Sequence, residues 1–89
     1  MNKLTIYTTI ELSIGTKATI VEANGLHFFN ALLNCNGNIN MMPKYIILEI
    51  MYLNNNIITE VELNNLPICD VLLIYDVINS MMSNIDKYN

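Results

Sequence analysis

His27 is the one histidine in the chain, and it is the natural place to look for acid–base chemistry. A catalytic imidazole needs a nucleophile and an orienting acid within reach. Glu22 and Cys35 are the nearest residues of those types, but neither stands at a recognisable spacing, and His27 reads as a surface or half-buried helix residue. Glu60, Glu62 and Asp70 form the densest acidic group. A hard-metal site takes convergent oxygen ligands, usually from a dedicated loop with a turn glycine, and no such loop surrounds them. Helix capping and dipole complementarity account for all three. Cys35 and Cys69 lie far apart, without a second Cys or a His at metal spacing. They read as two buried thiols in a reducing cytoplasm, with a disulfide as the minor alternative, since no secretory signal precedes the domain. Gly15, Gly25 and Gly37 compose no phosphate-cradling loop, and no Ser stands in a nucleophile elbow. No catalytic, cofactor or metal site emerges, and an enzyme is the least favoured class.

What is left is apolar. Of 89 residues, 53% are hydrophobic and only 13% charged, about half the usual share of roughly 25%. Four Lys against eight Asp and Glu give a net charge of -4, and there is no Arg. That balance excludes intrinsic disorder and a phosphate-gripping nucleic-acid binder. The apolar runs Tyr45–Leu53 and Ile68–Ile78 fall short of the roughly 20 residues of a membrane span. One domain of this size buries only about 60–65% of its unfolded surface. Some apolar area must therefore stay accessible, which points to self-association or a hydrophobic partner. The stripe of Phe28, Phe29, Tyr45, Met51, Tyr52, Tyr75, Met81 and Met82 is either core or partly exposed groove.

The elements that position these residues fall into two parts. Residues 1–23 form a β-hairpin: Thr5–Leu12 and Lys17–Val21 are rich in β-branched residues, with Ser13-Ile14-Gly15-Thr16 as the turn. The first strand is either continuous or broken near Thr8-Thr9, and a lone hairpin must pack on something or pair with another chain. Residues 24–89 read as helical. Asn24 caps a helix over Gly25–Asn36, with Leu26, Phe29, Leu32 and Leu33 on one face and Gly37 as the stop. Pro43 lies in the first turn of a helix over Met42–Leu53, ended by Asn54-Asn55-Asn56 and apolar on nearly every side. Thr59 and Glu62 form a capping box for a short helix over Glu60–Asn65. Pro67 opens a last helix to Ile85, with a stripe of Ile68, Val71, Leu72, Tyr75, Ile78, Met81 and Met82; Asp70 and Lys87 suit its dipole. The fold class is α+β: an N-terminal hairpin followed by a small bundle of three or four helices.

The order of these pieces resembles the small tail assembly chaperones of Mu-like and related contractile-tailed phages. Ile20-Val21-Glu22-Ala23-Asn24-Gly25 stands where that family has a "Val-Arg-Glu-Pro-Thr-Gly"-like turn leading into its first helix. Leu53-Asn54-Asn55-Asn56-Ile57-Ile58-Thr59 matches its polar loop, and Glu62 through Leu66-Pro67-Ile68-Cys69-Asp70 its Glu-Leu and "Met-Pro-Leu-x-Asp" stretches. The similarity runs from about Ile10 to Met82. It implies a cytoplasmic, non-catalytic coat that oligomerises and binds the tape measure protein, with the tail tube protein as a second contact, and that is absent from the finished tail. Nothing in it implies a cofactor, a nucleic acid or a membrane. The partner surface is expected at Ile46, Ile47, Ile50 and Met51 on the second helix and at Ile78, Met81 and Met82 on the last. Flexible Met side chains suit a surface that accepts many sequences. The alternative is a small dimeric regulatory or antitoxin-like protein that masks a partner enzyme.

Overall fold

The structure is a computed structural model that describes residues 5–83. It is α+β, with a four-stranded antiparallel sheet and four helices. β1 (Ile6–Glu11) and β2 (Lys17–Val21) form the expected hairpin, and β1 is continuous, with a bulge between Ile6 and Thr8. The turn closes through Gly15 N–H donating to Leu12 C=O (2.9 Å) and Leu12 N–H donating to Thr16 C=O (2.9 Å). Gly15 sits at φ +83, a conformation that costs a residue with a Cβ.

The hairpin's need for a partner is met within the chain. β2 pairs antiparallel with β3 (Met51–Leu53), which pairs with β4 (Asn56–Ile57), in the order β1-β2-β3-β4. This corrects the expected helix over Met42–Leu53. The helix, α2, covers Met42–Ile50 and gives way to strand at Met51, whose ψ is 134. Asn54 and Asn55 end no helix; they are the two-residue loop of the β3–β4 hairpin, at φ 49 and 72. Positive φ at both central positions is the requirement of the turn that matches strand twist, and Asn tolerates it better than most side chains. The division into hairpin and helical parts therefore fails at 51–57, which belong to the sheet.

The other boundaries shift by a residue or two. α1 is Gly25–Asn34, α3 is Glu60–Asn64 and α4 is Ile68–Ser83, with a 3₁₀ turn at Ile39–Met41 before α2. Lys87 and the expected helix end at Ile85 lie outside the described residues. Both capping expectations hold. Asn24 Oδ1 accepts from His27 N–H (3.2 Å), and the His27 ring answers, Nδ1 accepting from Asn24 N–H (3.0 Å). Thr59 and Glu62 reciprocate in the same way before α3.

The core lies between the sheet and the helices. Ala18 and Ile20 point inward from β2, Met51 from β3, Ile46, Ile47 and Ile50 from α2, and Ile74 and Ile78 from α4. Asp70 is the one buried charged residue among the described residues, and its role is not dipole complementarity alone. Its Oδ1 accepts from Ser13 N–H (2.9 Å) and its Oδ2 from Ser13 Oγ–H (2.8 Å), tying the β1–β2 turn to α4 across 57 residues of sequence. Hydrogen bonds to a charged group contribute roughly 1.5–3 kcal/mol each, and water reaching exposed Ser13 offsets part of their loss. Asp70→Ala is expected to lower unfolding free energy by about 2 kcal/mol, a fall of roughly 10 °C in the melting midpoint of a domain this size. Circular dichroism melts read this directly; an unchanged midpoint would show that the clamp contributes nothing.

Candidate protein-binding surface

The residues that could do chemistry are occupied structurally. His27 serves the α1 cap, about 12 Å along the helix axis from Cys35. Glu62 serves the α3 cap, and Glu60 Oε2 pairs with Lys44 Nζ at 2.7 Å, joining α3 to α2. Cys35 is buried, its Sγ–H donating to Leu32 C=O (3.2 Å), whereas Cys69 is exposed, contrary to the expectation of two buried thiols; both are free. Among the described residues no three His, Cys, Asp or Glu side chains converge as metal ligands, and no helix is long and apolar enough to cross a membrane.

The surface expected on α2 is corrected as well. Ile46, Ile47, Ile50 and Met51 are buried, Ile50 and Met51 completely, and so is Ile78. An apolar helix placed between a sheet and two other helices is consumed by the core. Of the seven expected contact residues, Met82 is exposed and Met81 half-buried. Met42 and Met51 are core residues and supply no flexible surface.

Exposed apolar area is found elsewhere. On α4, Ile68 (75% exposed), Leu72 (62%), Tyr75 and Met82 follow one another at i, i+4, i+7 and i+14. At 100° per residue these four fall within one narrow stripe beside the buried arc of Asp70, Ile74 and Ile78. The stripe spans about 21 Å along the helix. It borders a depression at each end. One, of about 330 Å³, is lined by Ile47, Leu63, Leu66, Ile68, Val71 and Tyr75, with Lys44 and Asn64 as its polar members. The other, of about 360 Å³, is lined by Phe28, Phe29, Ile46 and Met82 with the chain at Ala23–Gly25. Ile46 and Ile47 thus form cleft floors although they are no exposed surface. Phe28 and Phe29 pack edge to face, centroids 5.4 Å apart, which fixes the wall of the second cleft.

The periodicity of α4 contained this stripe, but its burial could not be read from period alone. Ile68, Leu72, Tyr75, Phe28 and Phe29 are the functional candidates that the expected contact set lacked. No protein-family model matches the sequence, and no curated protein or solved structure is similar enough to it to assign a family.

Proposed function

We propose that this protein is a phage tail assembly chaperone, a non-catalytic cover that binds an amphipathic helical stretch of the tape measure protein and holds it soluble until tail tube subunits polymerise around it. The observation that carries this reading is the α4 stripe of Ile68, Leu72, Tyr75 and Met82, open to solvent and ending in a largely apolar depression at each end. A helix of about 14 residues matches its 21 Å length, and apolar anchors at i, i+4 and i+7 are what a helix-in-groove contact uses. Asp76 on α4 and the acidic α3, with the net charge of -4, favour a segment carrying Lys or Arg on its polar face. A contact of four side chains is weak for one segment and gains by repetition along a long chain, as a displaceable coat requires. The chaperone acts in the host cytoplasm, before the tail is complete, and is not carried into the finished particle.

Co-expression with a phage tape measure protein, followed by size exclusion with light scattering, tests the reading. The expected result is a soluble long chain that co-elutes with several copies of this one. A long chain that still aggregates, while this protein runs alone, would move a small regulatory protein of the masking type to the front.

A further inference from the structure

The most apolar face of α1 points away from the core. Ala31 and Cys35 are the buried positions on this helix, which packs against α2. Leu26 (67% exposed), Phe29 (64%), Leu32 and Leu33 (77%) lie together on the opposite side, at i, i+3, i+6 and i+7. A helical period this regular, turned to solvent, is a face without its cover.

Charge says what kind of cover fits. From Ala23 to Pro43 there is no Asp, Glu, Lys or Arg, a run of 21 residues in a chain of net charge -4. Two copies approaching through α3 or α4 bring Glu62 and Asp76 towards one another, Glu60 being paired with Lys44, and like charges in juxtaposition oppose the contact. Approach through α1 brings no charge to the interface. A partner of opposite charge, conversely, gains nothing there. Relief is also present: Phe29, Leu32, Leu33, Asn36 and Gly37 line a shallow depression of about 430 Å³ that can receive a leucine.

Area points the same way. With about 200 Å² for a fully exposed large apolar side chain, the four residues offer roughly 500 Å² per copy. A two-fold pair then covers at most about 1,000 Å² from these four residues, the threshold a specific interface has to clear, so residues flanking α1 must join the contact. An isologous contact needs one self-complementary patch, and antiparallel α1 helices set Leu26 of each copy beside Leu33 of the other.

We infer that a second copy of this chain docks on the first through the uncharged outer face of α1, forming a two-fold dimer. The inference does not rest on the tape measure reading: it shares Phe29 with the second cleft but uses no residue of the α4 stripe. Light scattering on the full chain over about 1–100 μM is expected to reach twice the chain mass of 10.1 kDa. The double variant Leu26→Lys, Leu33→Lys should stay at 10.1 kDa with an unchanged circular dichroism melt, since both positions are exposed and Lys is as good a helix former as Leu. Leu72→Asp should dimerise like the parent. A monomeric parent, a double variant that still dimerises, or a dimer broken by Leu72→Asp instead overturns the inference. So does a particle larger than a dimer that the α1 substitutions dissolve, which would mean a heterologous contact.

Discussion

Ile50→Ala is expected to cost the domain about 3 kcal/mol, from the 2–5 kcal/mol range for emptying a well-packed isoleucine site. Ile50 has no exposed surface and closes α2 where the chain turns into β3. It packs in the same cluster as Ile20, Met51 and Ile74, so truncation opens a cavity against three elements at once. An 89-residue domain has on the order of 5–13 kcal/mol in all, which makes this loss a large part of the total and shifts the melting midpoint by roughly 12–24 °C. Chemical denaturation with an unchanged slope is the readout. If Ile50 instead belonged to an exposed contact surface on α2, truncation would leave the midpoint within a degree or two and weaken only partner binding.

Leu72→Asp should do the reverse. Leu72 is open to solvent, and substitutions at such positions usually change stability by less than about 0.5 kcal/mol. Yet a carboxylate at the centre of the α4 stripe would have to be desolvated under any apolar helix laid there. A loss of tenfold in affinity for one segment corresponds to 1.4 kcal/mol, and in a repeated coat the loss multiplies with each site engaged. The expected outcome is a folded, dimeric protein that leaves the long helical chain insoluble on co-expression. Retention of co-elution by this variant would remove the α4 stripe from the account.

These two positions show what the sequence could and could not convey. Local chemistry was legible. Asn24 and Thr59 with Glu62 cap their helices, Gly15 turns the first hairpin, and Pro43 sits in the first turn of α2, all within four residues of the partner concerned. Long-range placement was not. Met51-Tyr52-Leu53 continues the apolar run of α2 without a break in composition, and becomes strand because β2, some 30 residues earlier, supplies an open edge. Asn54-Asn55 carried a signal for the β3–β4 hairpin, since Asn accepts the left-handed backbone that the loop requires, but a run of three Asn also ends helices. Asp70 marked a helix start in sequence, and its partner Ser13 lies 57 residues away. The stripes on α1 and α4 show the limit most clearly. Period identifies which residues share a face, not what covers it. Leu26, Phe29 and Leu33 had the spacing of a core-facing stripe and lie in solvent, while Ile46, Ile47 and Ile50, chosen for a surface, fill the core.

In the proposed complex an amphipathic helix lies along α4 between the two depressions. Its most direct test is titration of the ¹⁵N-labelled protein with a tape measure segment of about 20 residues, followed through amide chemical shifts. Saturable changes are expected at Ile68, Leu72, Tyr75 and Met82, extending to Phe28 at the second cleft. Absence of binding, or changes confined to the β1–β2 hairpin or the outer face of α1, would contradict that placement.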